Sequence, residues 1–367
     1  MNKKTYFITG GGTGGHIYPA IAVADELLKK NPAAKIFYVG NPNNLEATIV
    51  KDKPYEFLPV ISSGMPRKIS FDLAKWTFKM FFAWLKCCNY IRKHKPDIIF
   101  GTGGYVSAPV LMAGMTMKVP FIMHDCDANP GLVTRKLAPH ARSISIAFEK
   151  AKDKLNNKNC IVNGNPIRTE FKTLTKQQAR ENLNLEDKLT ICIMGGSQGA
   201  KTINNATIEI LKYFSQDLDL QVIFQTGKRN YDDVIKKLTE IYPEYEQDKN
   251  IILKPYFEDM VTVLKSCDIA VSRAGSLSIS EICASSIAPI FIPYPYAAAD
   301  HQRKNAKLMV ESNAGLYLED DETNAESLLG LIKKLVNDTN LLNTIQENTS
   351  KLAKFDSVEQ IVNQINS

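Results

Sequence analysis

Thr5-Tyr6-Phe7-Ile8-Thr9-Gly10-Gly11-Gly12-Thr13-Gly14-Gly15-His16 is a short apolar run that breaks into glycines. A helix-like stretch follows over residues 20–30. Strand, glycine turn and helix in that order open a parallel α/β unit. The alternation continues, with further strands expected at residues 35–39, 97–100 and 119–123. Residues 189–194 restart the scheme, again with glycines and then a helix from about Thr202. Strands are expected after it at residues 220–225, 251–253, 269–272 and 288–293. The fold predicted is therefore α/β, with two Rossmann-like, doubly wound parallel-sheet domains facing each other across a cleft. Asn163-Gly164-Asn165-Pro166 is dense in turn formers and marks the break. The expected domains are residues 1–163 and 164–340. Over residues 341–367, Leu341, Ile345, Leu352, Phe355, Val358, Val362 and Ile365 recur at helical spacing, predicting one terminal helix that packs back towards the first domain.

Composition agrees with two soluble domains. The chain has 367 residues, 44% hydrophobic and 23% charged, which excludes disorder, collagen and a disulfide scaffold. Residues 98–117 carry no charge, but Gly101, Gly103, Gly104, Pro109 and Gly114 break the stretch into strand, loop and helix rather than a membrane span. No signal peptide is expected, since the first apolar run is too short for one. The seven cysteines are odd in number, lack a CxxC pair and read as reduced core thiols. Residues 1–165 hold 23 Lys and Arg against 11 Asp and Glu, a net +12, whereas the remainder is at −6. The first half thus suits an anionic partner, either a nucleic acid or an anionic membrane surface.

The first glycine loop formally contains GxGxxG, at Gly10, Gly12 and Gly15. A dinucleotide site would need a carboxylate at the end of the second strand, where the sequence reads Val39-Gly40-Asn41. That absence argues against a dehydrogenase, and no GxxxxGK[ST] exists to make a P-loop. His16 follows the loop at a helix start, and it is the candidate general base. Gly195-Gly196-Ser197-Gln198-Gly199 is the equivalent loop of the second half, and Ser272-Arg273-Ala274-Gly275-Ser276 leads into a third helix. Helix starts carry free N–H groups and a positive dipole end, which suit a diphosphate. Glu281, one turn inside, can accept two ribose hydroxyls. Taken singly each loop is an ordinary turn, but three at strand C-termini lie where α/β ligands bind.

Gly11 to His16, Gly103-Gly104-Tyr105-Val106-Ser107, Gly164 to Arg168, Gly195 to Ala200 and Arg273 to Glu281 resemble, in order and spacing, the MurG family of peptidoglycan N-acetylglucosaminyltransferases. The resemblance implies the GT-B fold and transfer of N-acetylglucosamine from UDP-GlcNAc to undecaprenyl-pyrophosphoryl-MurNAc-pentapeptide (lipid I), giving lipid II. It implies that Ser197 and Ser276, Leu277, Ser278, Ile279 and Ser280 hold the donor diphosphate, and that Glu281 takes the ribose. It also implies that the Phe257 backbone reads the uracil and that Gln302 contacts the donor sugar. Thr13, Gly14 and Gly15 would close over the donor, and Arg168 would reach in from the hinge. One departure stands out. Where the family carries His-Glu-Gln-Asn, this chain reads His124-Asp125-Cys126-Asp127, so the donor-contacting Asn is Asp127. Asp125-x-Asp127 resembles a metal-binding DxD, but GT-B enzymes do not generally need one, and Asp217-x-Asp219 repeats the pattern by accident. No metal or other cofactor is expected.

Between Ile61 and Lys95 lie eight basic residues and one acid. At about 100° per residue, Lys75, Lys79 and Lys86 share one stripe of a helix whose other sides hold Trp76, Phe78, Phe81, Phe82 and Trp84. Trp76, Phe81 and Trp84 are expected to insert in anionic lipid, with Lys75 and Lys79 along the headgroups; the plainer reading is a partly buried helix with a solvated Lys stripe. Together with the family resemblance, this implies a peripheral protein on the cytoplasmic face of the bacterial cell membrane. Nucleic acid is disfavoured, because the aromatics cluster instead of interleaving with charge. Alternatives that keep the fold are another UDP-sugar glycolipid glycosyltransferase and a UDP-GlcNAc epimerase.

Overall fold

A computed structural model describes residues 3–66, 71–196, 198–297 and 300–367. The chain forms two compact units, Met1–Ile167 with Asp356–Ser367, and Arg168–Phe355.

In the first unit the strands are β1 (Thr5–Thr9), β2 (Lys35–Gly40), β3 (Glu56–Pro59), β4 (Ile98–Gly101), β5 (Phe121–Asp125), β6 (Ser143–Ile146) and β7 (Cys160–Val162). All pair in parallel, in the order β3-β2-β1-β4-β5-β6-β7. Its helices are α1 (Gly14–Lys30), α2 (Leu45–Val50), α3 (Phe71–His94), α4 (Gly104–Thr116) and α5 (Leu132–Leu137). Successive strand side chains point to opposite faces, so a sheet covered on both sides splits its apolar residues between two cores. Phe7, Phe37, Val39, Ile99 and Met123 join Ala83, Cys87 and Ile91 of α3 and Val110 of α4 on one face. Tyr6, Ile8, Ile36, Tyr38 and Ile122 join Ile17, Ala20 and Ala24 of α1 on the other.

The second unit has a six-stranded parallel sheet. Its strands are β8 (Thr190–Met194), β9 (Gln221–Gln225), β10 (Ile251–Lys254), β11 (Ile269–Ser272), β12 (Ala288–Phe291) and β13 (Leu316–Tyr317), in the order β10-β9-β8-β11-β12-β13. Its helices are α6 (Glu170–Thr173), α7 (Lys176–Asn182), α8 (Lys201–Gln216), α9 (Tyr231–Ile241), α10 (Met260–Ser266), α11 (Ser276–Ser285), α12 (His301–Glu311), α13 (Ala325–Asn337) and α14 (Thr339–Leu352).

Two details differ from the sequence expectation. Strands β3, β6, β7 and β13 were not anticipated. β6 reads Ser-Ile-Ser-Ile, and its serines face a buried polar cluster instead of the apolar core. The terminal stretch is two helices rather than one. α14 starts at an Asp338 cap, whose carboxylate accepts from Leu341 N at 3.0 Å, and it ends at Ala353. It packs on α11, β12 and α13 of the second unit. Only the following helix, α15 (Ser357–Asn366), returns to the first unit, where Ile361, Val362 and Ile365 lie against α1. The division therefore falls at Ile167/Arg168 and Phe355/Asp356, against the expected 163/164 and 340/341.

Candidate active site

The strand ends carry polar residues that build the loops. β1 leads through Gly10–Gly12 to Thr13, the extended N-cap of α1, so Gly14 and Gly15 begin the helix. His16 lies in that first turn, half-buried. Its Nδ1 is 2.9 Å from the carbonyl oxygen of Thr102, just past β4. A carbonyl only accepts, so Nδ1 carries the proton and Nε2 is left with a lone pair. Among the described residues Nε2 has no hydrogen-bond partner. That is the form a general base needs.

The glycine loop itself is already supplied with an anion. Glu46 of α2 is fully buried beneath it and accepts from Gly12 N at 3.3 Å, Asn41 N at 3.1 Å and Asn44 Nδ2 at 3.3 Å. A carbon added at Gly11 would meet the Glu46 carboxylate at 2.5 Å. Glu46 fixes the loop and takes the Gly12 N–H that a phosphate would otherwise use.

Past β5 the DxD pattern does not form a pair of outward ligands. Asp125 is buried, and its carboxylate accepts from Asp127 N at 3.2 Å, Gly131 N at 3.0 Å and the Thr134 hydroxyl. Burial raises its pKa against those bonds. Asp125 thus holds the loop into α5, while half-exposed Asp127 remains at the rim. The Cys126 thiol between them lies 4.0 Å from His16 Nδ1. Burial pushes that thiol well up, so it stays protonated. His124 is fully buried. Its Nε2 donates to Asn165 Oδ1 at 3.0 Å and its Nδ1 accepts from the Ser145 hydroxyl at 3.0 Å. Burial drives its pKa down to about 4. With both nitrogens engaged it is no alternative base, and neither is Asp125.

In the second unit the loop after β8 interlocks with the loop after β9. Gly199 and Gly227 both have positive φ, and a carbon on Gly199 would stand 2.0 Å from Thr226 O, so no other residue fits. Ser197 lies outside the described residues. Gln225, at the end of β9, ties two expected donor elements together. Its Nε2 donates to Gly196 O at 3.3 Å and its Oε1 accepts from Phe257 N at 2.9 Å. The Phe257 N–H is thereby spent, which leaves only its carbonyl to offer a ligand. α11 has Gly275 at its N-cap with no side-chain cap bond, and Ser276, Leu277 and Ser278 form its first turn. Its first main-chain bond runs from Ile279 N to Gly275 O at 2.9 Å, and the Ser280 hydroxyl donates to Ser276 O at 3.2 Å. Asn305 of α12 is fully buried and donates to Ala274 O at 3.4 Å, holding the loop from behind.

Glu281 is half-buried one turn into α11, and Arg168 NH2 meets its Oε1 at 3.2 Å. Burial raises the carboxyl's pKa and Arg168 opposes that shift. Arg168 also lies over the Phe171 ring, 5.6 Å from its centroid. It orients Glu281 through Oε1, with Oε2 outside that ion pair. The cavity of about 760 Å³ that Arg168 lines also carries Glu170, Glu258 and Asp259, an acidic setting unsuited to a diphosphate. Gln302, at the start of α12, accepts from Tyr294 N at 3.0 Å and so braces the loop after β12. Arg273 points away from the α11 start, donating to Ile292 O and Pro293 O at 3.0 and 3.1 Å and pairing with Asp320.

Comparison with known proteins decides the family. The models of the glycosyltransferase family 28 N-terminal and C-terminal domains match residues 6–146 and 190–362. A UDP-N-acetylglucosamine–N-acetylmuramyl-(pentapeptide) pyrophosphoryl-undecaprenol N-acetylglucosamine transferase of Thermoanaerobacter sp. (strain X514) is 36% identical over 364 residues, covering 99% of each chain. One of the same name from Bacillus pumilus (strain SAFR-032) is 34% identical over 358 residues, covering 97% of each. The chain belongs to glycosyltransferase family 28 and, within it, to the MurG family. Its fold is GT-B: the crystal structure of MurG from Acinetobacter baumannii superposes with a TM-score of 0.77 at 24% identity, covering 100% of this chain and 99% of that one. A UDP-GlcNAc 2-epimerase from Neisseria meningitidis shares the fold at a TM-score of 0.69 and 13% identity, over 99% of both chains.

Within this MurG-family chain, sequence reasoning missed Thr102, Glu46, Gln225 and Asn305. Thr102 and Gln225 had a signal, a polar residue ending or following a buried strand. Glu46 and Asn305 had none, because a buried polar residue inside a helix looks like a surface one.

The membrane candidates divide. α3 buries Ala83, Cys87, Cys88 and Ile91. Phe81 is exposed, as expected, and so are Lys75 and Lys79. Trp76 and Trp84 are not outward anchors: they are half-buried, Trp76 Nε1 donating to Ser63 O at 2.8 Å and Trp84 Nε1 to Thr116 Oγ1 at 3.3 Å. The ring faces that meet solvent belong to Phe71, Phe78, Phe81 and Phe82, with Phe71 76% exposed. Among the described residues no helix is long and apolar enough to cross a membrane.

Proposed function

We propose that this chain transfers N-acetylglucosamine from UDP-GlcNAc to the muramyl sugar of lipid I, giving lipid II for peptidoglycan synthesis. The observation that carries this reading is identity along essentially the whole chain to transferases that bear that name. The site chemistry agrees with it. The acceptor hydroxyl attacks the anomeric carbon as the bond to the diphosphate oxygen breaks, and the electron pair leaves on UDP. His16 Nε2 takes the hydroxyl proton while its Nδ1–H stays on Thr102 O. The first turn of α11 meets the charge growing on the diphosphate with N–H groups already in place. Glu281 Oε2 takes ribose hydroxyls, the Phe257 carbonyl the uracil, and Gln302 the sugar. Direct displacement inverts the anomeric centre.

The exposed Phe71, Phe78, Phe81 and Phe82, beside Lys75, Lys79 and Lys86, hold the first unit on an anionic bilayer, as a peripheral protein of the cytoplasmic face. No cofactor takes part, and no nucleic acid.

The test is to incubate the protein with labelled UDP-GlcNAc and a short-chain lipid I analogue, with and without EDTA. Released UDP and labelled lipid, only when lipid I is present and undiminished by EDTA, are expected. Consumption of UDP-GlcNAc without acceptor points to epimerisation, and turnover only with another UDP-sugar keeps the fold and removes the function.

A further inference from the structure

We infer that Thr102 is the positioning residue for His16, setting which imidazole nitrogen keeps its proton; this rests on the reading of His16 as the base. Thr102 is 1% exposed and is anchored to the sheet by its N–H, which donates to Thr9 O at 3.0 Å. From there it holds His16 twice. Its carbonyl takes the Nδ1 proton at 2.9 Å, and its hydroxyl donates to His16 O at 2.5 Å. One bond fixes the ring and the other fixes the backbone that carries it, so the imidazole is located relative to β4 as well as to its own helix.

The following glycines make this approach possible. Gly103 and Gly104 have φ of 90° and 73°. A carbon added at Gly104 would lie 2.5 Å from Gly11 O and 3.1 Å from His16 Cδ2. The strand end therefore lies against the imidazole, and Nε2 is the nitrogen left for an acceptor hydroxyl. The tautomer with its proton on Nε2 would face the hydroxyl with an N–H and would also leave two lone pairs, those of Nδ1 and Thr102 O, opposed at 2.9 Å.

The experiment uses the full chain labelled with ¹⁵N in its five histidines, with His16 assigned through His16→Gln. Wild type is expected to show the neutral His16 protonated on Nδ1. Thr102→Val, which keeps the carbonyl and loses the hydroxyl, is expected to keep the Nδ1 proton but to loosen the backbone that carries the ring, lowering kcat about tenfold, the size of one hydrogen bond. Its KM for UDP-GlcNAc should stay within about twofold. Thr102→Ser restores the hydroxyl and should restore kcat. A wild-type His16 protonated on Nε2 overturns the proposal, even if Thr102→Val fails to fold. So does a Thr102→Val protein with unchanged kcat, or a Thr102→Ser protein as impaired as the valine variant. Absence of glycosyl transfer by wild type would instead count against the proposed function and leave the tautomer measurement standing.

Discussion

Two histidines stand within one strand end of each other, and their partners give them opposite parts. His16 keeps one nitrogen unengaged, so His16→Ala is expected to lower kcat by about 10²–10⁴-fold while donor affinity, read by calorimetry with UDP-GlcNAc, stays near wild type. His124 has no unengaged nitrogen and is held neutral by burial. Its folded pKa, about 4, lies below the 6.5 of an unperturbed histidine. The unfolded chain therefore binds the proton first. The associated stability is fully present above about pH 6.5 and is lost as pH falls towards 4, on the order of 3 kcal/mol in all. Thermal unfolding between pH 7 and 4 should show that loss, and His124→Gln should flatten it. The candidate base was legible from its place after a glycine loop. What distinguishes it from His124 was not, since the distinction rests on Thr102, Ser145 and Asn165, each remote in sequence from the histidine it serves.

Among the elements, α3 shows where a periodic pattern informs and where it stops. The sequence placed a lysine stripe and an aromatic surplus on this helix, and both are present. It could not say which rings face outward, because that depends on Ser63 and Thr116, which take the two indole N–H groups. Replacement of Phe71, Phe78 and Phe82 by Ser should abolish cosedimentation with anionic vesicles at unchanged melting temperature, whereas Trp84→Ser should lower the melting temperature itself. Equal vesicle binding by the triple variant would remove α3 as the contact. The parallel strands of both sheets were legible wherever they were continuous apolar runs. β6 was not, because its alternating serines serve a polar cluster in which Asn163 Nδ2 meets both Ser145 and Gln364.

For the whole molecule, the chain passes between units twice, at Ile167/Arg168 and Phe355/Asp356. α15 completes the first unit. Ile361, Val362 and Ile365 fill its core, Gln364 donates to Ser143 at 2.7 Å, and Arg142 donates to Gln364 O and Ile365 O at 3.0 and 2.9 Å. A chain stopped after Phe355 should lose the first unit's cooperative unfolding and keep that of the second, which calorimetry on the shortened protein resolves. Two intact transitions would show that α15 is dispensable. The broad two-unit plan was readable from the restarted strand-and-glycine pattern, but the return point was not, because α14 and α15 share one apolar period and differ only in what they meet.

That path also imposes an order on biosynthesis. A ribosome delivers all of residues 168–355 before α15 exists, so the second unit can fold while the first still waits for its last helix. During that interval the Tyr6, Ile8 and Ile36 face of the first sheet lacks part of its cover. Uncovered apolar surface on a nascent chain invites association with its neighbours. The half of the protein made first is thus the half that a chaperone must shield longest.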